Sequence, residues 1–202
     1  MTKLVLVRHA LTIDNQSKRL SGHIDSVVSE VGIKQIEKLT KYLDGIHIDK
    51  IYTTTSSRTK DTVKDVAKKK GIEIIEKETL KEISFGDFEG ITFDDIKKNY
   101  PEEFNSMIEK GYEYRYPNGE SLIDSFIRVS NEVKEIINMD KGKTILICSH
   151  GGTIRNIISY LVSGSYKYHW NFKIDNASVS ILEVEDGFAV IDSMNNTSFI
   201  NN

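Results

Sequence analysis

The sequence is poor in residues that constrain a chain covalently. Its 202 residues include a single cysteine, Cys148, together with two prolines and one tryptophan. One cysteine excludes an internal disulfide framework and is typical of a reducing compartment, so we expect a cytoplasmic location. Because Cys148 lies in an apolar run, we interpret it as a small buried side chain and not as a catalytic thiol.

Long apolar runs and an excess of charge of one sign are also missing. No run approaches the roughly 18 apolar residues that a membrane span requires. The first residues show no basic segment, apolar core or small-residue cleavage site typical of a secretory signal. Since 27 basic and 30 acidic residues give a net charge of -3, we expect no nucleic-acid partner and no membrane partner.

Helical and extended patterns alternate along the chain, and no linker rich in Pro, Gly or Ser divides it. The length and the 39% of hydrophobic residues suit one domain, residues 1–202, with a full sheet between helical layers. Apolar spacing of three and four predicts helices over 30–43, over 58–70 and from 120–121 onward. The first of these helices should bury Ile33, Ile36, Leu39 and Leu43.

Short apolar runs predict the strands of an α/β fold. They cover residues 4–7, 46–52, 72–75 and 144–148. The first and last of these runs lack polar residues, which is typical of parallel strands covered on both faces. The dipeptide Asp186-Gly187 predicts an antiparallel hairpin between 179–184 and 188–191.

Two of these strands end in a histidine. Residues 4–7 lead into Arg8-His9, and residues 144–148 lead into Ser149-His150. If the strands are neighbours, both histidines lie at the carboxyl end of the sheet, where such folds bind ligands. An imidazole beside an arginine can attack phosphorus, while a second imidazole and the guanidinium stabilise the charge on the transferring phosphoryl group. The pattern therefore favours phosphoryl transfer through a histidine.

The segment at about 92–119 has a different composition. Thr92 followed by Asp95 resembles a capping box, and Pro101 either interrupts that helix or opens the next one. The segment also contains Tyr100, Tyr112, Tyr114 and Tyr116. We interpret it as an insertion over the crevice that selects the substrate. Its tyrosines either stack on an aromatic leaving group or pack the insertion together, and the second interpretation is favoured.

Six ordered blocks resemble the histidine phosphatase superfamily, the phosphoglycerate mutase-like clan, over almost the whole chain. They are residues 6–9 with Thr12 and Asn15; 19–22 with Asp25 and Gly32; 57–58 with Thr62; 80–82 with Gly86, Glu89 and Gly90; 119–121 with 128–129; and 149–152. The resemblance implies a three-layer α/β/α sandwich with a mostly parallel central sheet and a C-terminal antiparallel hairpin. It also implies no cofactor and no metal.

The family's roles transfer to the matching positions. His9 would be the nucleophile that becomes a phosphohistidine, and Glu82 would protonate the leaving oxygen and later activate water. Arg8, Arg58 and His150 would surround the phosphoryl oxygens. Planar guanidinium groups suit this role because they bind phosphate through two parallel hydrogen bonds. Further contacts to the phosphate or to its loop are expected from Asn15, Ser21, Gly22 and Gly151, the last because it opens a helix N-terminus.

Several readings remain open at the level of sequence. Ala10 and Leu11 stand where the family usually has Gly and Glu or Gln, and strain follows if residue 10 needs a positive φ. Ile83 and Phe85 replace the Arg and Tyr of phosphoglycerate mutases, which favours a hydrolase of a small phosphomonoester over a mutase. Residues 85–90 and 119–121 resemble stretches of bacterial α-ribazole phosphatases and of broad-specificity phosphatases in the clan. The resemblance makes α-ribazole phosphate one candidate substrate.

Two alternatives belong to other functional classes, and one property is not decided. A metal-dependent hydrolase lacks support because neither histidine has a histidine partner three or four residues away. A non-catalytic relative that binds a phosphorylated ligand is disfavoured because His9 and Glu82 are both present. The sequence allows a monomer or a homodimer.

Overall fold

Six strands form one sheet in the computed structural model, which describes residues 1–201. They are β1 (Thr2–Arg8), β2 (Lys50–Thr53), β3 (Ile74–Glu76), β4 (Thr144–Ser149), β5 (Val179–Glu185) and β6 (Phe188–Asn196). Their order is β3-β2-β4-β1-β5-β6. The four strands β1 to β4 pair in parallel, whereas β5 runs antiparallel to both β1 and β6. The prediction of a mostly parallel sheet with a C-terminal hairpin is confirmed.

Helices cover both faces of this sheet. The α-helices are α1 (Ile13–Gln16), α2 (Glu30–Asp44), α3 (Ser57–Lys70), α4 (Phe93–Asn99), α5 (Pro101–Lys110), α6 (Leu122–Met139), α7 (Gly151–Ser163) and α8 (Ser198–Asn201). Because side chains alternate along a strand, Leu4 and Leu6 of β1 pack with α6 and α7, and Val5 and Val7 pack with α2 and α3. The predicted three-layer α/β/α sandwich is confirmed.

Local signals in the sequence correspond to several element boundaries. Thr92 caps α4 in a capping box with Asp95, and Pro101 opens α5 as its first residue. The hairpin turn between β5 and β6 has positive φ angles at both Asp186 and Gly187, 49° and 84°. Such angles are those of a two-residue turn whose twist matches its strands.

Three predictions need correction. The strand expected at 46–52 begins only at Lys50, because Asp49 binds the backbone of Thr144 with both its amide and its carboxylate. The strand expected at 72–75 covers Ile74–Glu76. In α2, Ile33 is 52% exposed. Gly32 takes the inward position, because a methyl group there would lie 2.2 Å from the carbonyl oxygen of Leu11.

The segment that contains α4 and α5 has a small apolar cluster of its own. Leu20, Phe88 and Ile96 are buried in it, and Phe85, Phe104, Met107 and Tyr116 pack against them. A second set of side chains from the same region borders a cavity that reaches Arg8 and Glu82. The insertion therefore lies beside the carboxyl ends of the central strands.

Candidate active site

The carboxyl ends of β1 and β4 bring two histidines together. The strands pair in parallel with Arg8 opposite Ser149, and the His9 amide donates to the Ser149 carbonyl oxygen at 2.9 Å. The ring centroids of His9 and His150 are 5.2 Å apart at an interplanar angle of 64°. Both residues are buried, at 4% and 1% exposure. The two histidines thus lie side by side at the carboxyl end of the sheet, as expected if the two strands are neighbours.

The hydrogen bonds of His9 fix which of its ring nitrogens is available. Its Nδ1 lies 2.8 Å from the carbonyl oxygen of Ala10. A carbonyl only accepts, so Nδ1 carries the proton and Nε2 keeps its lone pair. Burial, followed by the positive charges of Arg8 and Arg58, holds the pKa of His9 well below its ordinary value of 6.5. The ring is therefore neutral at neutral pH, which is the state a nucleophile needs.

Arg58 connects the second histidine to the loop that follows α1. Its side chain is 1% exposed, and its Nε donates to Nδ1 of His150 at 3.2 Å. Since Nδ1 accepts, the neutral His150 ring carries its proton on Nε2, which lies 3.2 Å from Oγ1 of Thr54. Burial, then Arg58, lowers the pKa of His150 well below its ordinary value. The Asp25 carboxylate, at 3.8 Å, is the acidic neighbour of Arg58.

Arg8 provides a second guanidinium, which is half-buried. One terminal nitrogen donates to the carbonyl oxygen of Ile174 at 2.8 Å. Its Nε is buried without a hydrogen-bond partner among residues 1–201. A methyl group at Gly151 would lie 3.3 Å from this Nε, so Gly151 lets the first turn of α7 approach the guanidinium. A half-buried cation with an unpaired donor is suited to hold an anion.

Glu82 lies at the N-terminus of α7. Its carboxylate accepts backbone hydrogen bonds from Gly152 at 2.8 Å, Thr153 at 3.1 Å and Ile83 at 3.1 Å. The negative charge of Glu82 acts on the pKa values of Arg8 and Arg58, raising both against the larger effect of burial, which lowers them. The carboxylate is thus held within the field of both guanidinium groups and is not a solvated surface charge.

The three predicted contacts in the loop after β1 are close to the histidines. Ser21 and Gly22 place their carbonyl oxygens 3.1 Å and 2.8 Å from a terminal nitrogen of Arg58. A methyl group at Gly22 would lie 2.1 Å from the carbonyl oxygen of Ile83, so only glycine permits this approach of two backbones. Asn15 accepts a hydrogen bond from Asn176, which also donates to the carbonyl oxygen of His9. Direct contacts of these residues to phosphate remain predictions.

The two unusual residues after His9 do not strain the loop. Ala10 is fully buried, its φ is not positive, and its amide donates to Oγ1 of Thr62 at 2.9 Å. The amide of Leu11 donates to the side chain of Gln35 at 2.8 Å. An alanine therefore fits this position without the conformational cost that a positive φ would bring.

Several neighbours of the site were not found from the sequence. They are Thr54, Asn176 and Arg155. Arg155 follows Gly152 by three positions in α7, so a helix beginning at Gly151 places both on one face. That spacing was a usable signal for Arg155. The other two residues reach the site through tertiary contacts that no local pattern indicates.

The remaining candidate chemistry can be stated briefly. Cys148 is a free, fully buried thiol, and burial raises its pKa, so it is not a thiolate at neutral pH. Within residues 1–201, no group of three or more His, Cys, Asp and Glu side chains has a geometry that could hold a metal ion. None of the helices in the same part of the chain combines the length and apolarity of a membrane span.

A neutral, buried imidazole near two guanidinium groups and a carboxylate is the main feature of this site. Such a set of groups can supply a nucleophile, stabilisation of an anion and a proton carrier. The fold and the site are those of an enzyme that transfers phosphoryl groups through a histidine.

Comparisons with known proteins agree with this class. The sequence model of the histidine phosphatase superfamily (branch 1) matches residues 4–197. Phosphoserine phosphatase 1 of Hydrogenobacter thermophilus is 32% identical over 197 residues, which cover 98% of this chain and 93% of that protein. The chain therefore belongs to the histidine phosphatase superfamily, which confirms the predicted family, and it is an enzyme of the phosphatase class.

Solved structures share the whole fold. Bacillus stearothermophilus YhfR is 30% identical, with a TM-score of 0.91 over 99% of this chain and 100% of that one. A protein from Escherichia coli described as a putative alpha-ribazole-5'-P phosphatase also has a TM-score of 0.91, covering 96% of each chain at 24% identity. At 24% identity, the similarity to the Escherichia coli protein supports the fold alone.

Proposed function

We propose that this enzyme hydrolyses small phosphomonoesters without a metal ion, through a phosphohistidine on His9. The observation that carries the proposal is the hydrogen bond from Nδ1 of His9 to Ala10. It directs the lone pair of Nε2 away from Ala10, in a ring whose lowered pKa keeps it neutral. The half-buried Arg8 and the buried Arg58, whose positive charges both act on the His9 ring, are the groups that would receive the phosphoryl oxygens.

The first step forms the phosphoenzyme. Nε2 of His9 attacks phosphorus, the bond between phosphorus and the ester oxygen breaks, and the leaving oxygen takes a proton from the protonated form of Glu82, which the charge of the bound phosphoryl dianion favours over the carboxylate. Arg8 and Arg58 stabilise the charge on the three remaining phosphoryl oxygens. His150 is neutral beside Arg58, and an approaching phosphoryl dianion favours its protonated form.

The second step releases phosphate. A water molecule gives a proton to the Glu82 carboxylate and attacks phosphorus, and the bond to Nε2 breaks. Inorganic phosphate leaves, and both His9 and Glu82 return to their initial states. The position of Glu82 on the N-terminal amides of α7 supports this role, because it holds the carboxylate near both guanidinium groups.

Contacts to the phosphate from the loop after β1 and from the start of α7 are part of the proposal. The carbonyl oxygens of Ser21 and Gly22 accept hydrogen bonds from Arg58, and the Gly151 amide opens α7 beside Arg8. Asn15 accepts a hydrogen bond from Asn176, which also donates to the His9 carbonyl. Direct contact of these residues to phosphate would add neutral groups to the donors of Arg8 and Arg58.

Phosphoserine and α-ribazole phosphate are the first substrates to test. Phosphoserine is the substrate named for the relative from Hydrogenobacter thermophilus, and α-ribazole phosphate follows from the resemblance in sequence. Ile83 and Phe85 argue against a phosphoglycerate mutase, because they line the cavity with apolar side chains at the positions where the mutases carry Arg and Tyr. Separate assays for mutase and hydrolase products distinguish the two activities.

Three broader properties belong to the same proposal. We infer one domain over residues 1–202, in which the segment at about 92–119 selects the substrate. The buried, free Cys148 supports a cytoplasmic location, since reduced thiols persist there. A monomer and a homodimer are both compatible with the proposed mechanism, and light scattering of the purified protein separates them.

Trapping the phosphoenzyme tests the mechanism. Rapid quenching with ³²P-labelled phosphoserine should label the protein with a bond that is stable in base and labile in acid, at the peptide containing His9. His9→Ala should remove the label and the turnover, whereas Cys148→Ala should retain both. Turnover should persist in chelator. Label retained by His9→Ala, or turnover lost in chelator, would contradict the proposal.

A further inference from the structure

The candidate site continues into a large cavity with aromatic walls. The cavity has a volume of about 530 Å³ and borders Arg8 and Glu82. Its aromatic lining residues are Phe85, Phe93, Tyr112, Tyr114, Tyr116 and Trp170. This volume lies within the range of roughly 300–1,000 Å³ typical of pockets for drug-sized ligands. Because the cavity begins at the proposed proton donor, it is placed to receive the leaving group.

Arg155 is the cation of this cavity besides Arg8. Its Nε donates to the carbonyl oxygen of Phe172 at 2.8 Å, and its Cζ lies 5.3 Å from the centroid of the Trp170 ring. Within residues 1–201, its two terminal nitrogens make no hydrogen bond, and no carboxylate lies within 4.0 Å of them. A planar fork with unpaired donors suits a carboxylate or a phosphate.

A chain of buried polar side chains holds the surroundings of Arg155 in place. Nδ1 of His169 lies 2.7 Å from Oδ1 of Asn156, and Nδ2 of Asn156 donates to Oγ of Ser125 at 3.2 Å. The His169 ring contacts the neighbouring Trp170 ring edge-on, with centroids 4.6 Å apart. Trp170 itself is 64% exposed, and its ring lies between the held His169 ring and the Arg155 guanidinium.

The charges around Arg155 also point to a ligand. Burial lowers its pKa, and the carboxylates of Glu82 and Asp175 partly oppose this effect. Asp175 is already bound by Lys173 and Asn195, both at 2.9 Å. Glu82 is held by the amides of α7. Neither carboxylate therefore neutralises Arg155 by direct contact.

We propose that Arg155 is a specificity-determining residue, which contacts an anionic substituent on the leaving group while the aromatic walls pack against its skeleton. The favoured substrates are thus phosphomonoesters of bulky, apolar alcohols that carry a carboxylate or a second phosphate. This inference rests on the proposed hydrolase function. It goes beyond that function by assigning the recognition of the leaving group to one residue.

Matched substrates and variants test the assignment. Benzyl phosphate and carboxybenzyl phosphate, the latter as meta and para isomers, differ by a charge remote from the reacting bond. The wild-type enzyme should prefer a carboxybenzyl ester by about tenfold or more in kcat/KM, as a charge-assisted hydrogen bond allows. Arg155→Met should bring that ratio close to one, mainly through KM, and Arg155→Lys should restore part of it. Esters with a phosphonomethyl group in the same positions separate phosphate from carboxylate recognition.

Lys167→Met is the matched control, because it removes an exposed cation from the same turn as Trp170 without changing the cavity lining. It should keep the wild-type ratio. The same ratio in Arg155→Met and wild type would overturn the assignment, as would the absence of any preference in the wild-type enzyme. Turnover of p-nitrophenyl phosphate but of none of the benzyl esters would also overturn it. Turnover of no phosphoester at all would instead reject the proposed function.

Discussion

Arg58 donates from Nε to Nδ1 of His150 at 3.2 Å, while its terminal nitrogens donate to the carbonyl oxygens of Ser21, Gly22 and Ile24. One guanidinium therefore sets the tautomer of an imidazole and holds the loop after β1. These tasks require a planar fork with donors in several directions, and a positive charge alone does not provide them.

Replacing Arg58 with lysine tests this geometric role. Arg58→Lys keeps the charge but provides one ammonium group in place of five N–H donors. We expect kcat/KM to fall at least about hundredfold, because more than one charge-assisted hydrogen bond is lost. Lys64→Arg, an exposed change on the same helix, should have no effect. Steady-state kinetics decide the matter, and a loss below threefold in Arg58→Lys would show that charge suffices.

Gly152 controls the position of Glu82. A methyl group at Gly152 would lie 2.4 Å from Oε1 of Glu82, the mobile end of a long side chain. Gly152→Ala should therefore displace the carboxylate and leave the fold intact. We expect a loss of about tenfold or more on phosphoserine and a smaller loss on p-nitrophenyl phosphate, whose leaving group needs no proton.

Glu82→Gln should reproduce the same selectivity, because it removes the proton donor directly. Gly45→Ala is the matched control, since the nearest atom to its added methyl group would be 3.8 Å away. Kinetics with both substrates provide the comparison. Equal losses on the two esters, in either site variant, would remove Glu82 from the role of acid.

The sequence predicted the parts of the site that depend on strand ends. Two apolar runs that end in His9 and His150 sufficed to place the rings together, because parallel neighbours bring their carboxyl ends to one edge. It did not predict the hydrogen bond from Arg58 to the Gly22 carbonyl, because that bond joins distant segments and involves a buried side chain that no local pattern indicates. Arg155 was also not predicted, although its helical spacing from Gly152 was a usable signal.

The same distinction explains the errors in the fold. Ile33 fits the apolar face of a helix and Gly32 does not. The close approach of the Leu11 carbonyl nevertheless requires the glycine to face inward, which leaves Ile33 exposed. The strand expected from residue 46 has the right alternation, but the contacts of Asp49 with Thr144 delay the ladder to Lys50. In both cases a tertiary contact overrides the local periodicity.

Ala10 provides a test of a departure from the family pattern. Its φ is not positive and its side chain is fully buried, so restoring glycine relieves no strain. We expect Ala10→Gly to give no increase in kcat and to lower the free energy of unfolding by about 1 kcal/mol, through lost burial and added chain entropy. Kinetics and urea unfolding measure the two effects. A marked gain in kcat would show that alanine restrains the nucleophile.

His169 should make the stability of the protein depend on pH. Burial, with a smaller effect from Arg155, lowers the pKa of His169 to about 3, whereas an unfolded chain has an ordinary histidine pKa of about 6.5. Between these values the unfolded state binds a proton that the folded state does not. Stability is therefore complete above about pH 6.5 and falls as the pH decreases toward 3, and His9 and His150 act in the same direction.

At pH 4.5, two pH units below the unfolded pKa, the contribution of His169 is about 2 to 3 kcal/mol, since each unit corresponds to about 1.4 kcal/mol. His169→Gln should lose that much less stability than the wild type between pH 7 and pH 4.5. His47→Gln, which replaces an exposed histidine, should follow the wild type. Urea unfolding at both pH values supplies the free energies, and comparing each variant with itself removes the cost of the substitution. Identical losses in His169→Gln and wild type would mean that His169 is protonated in the folded protein.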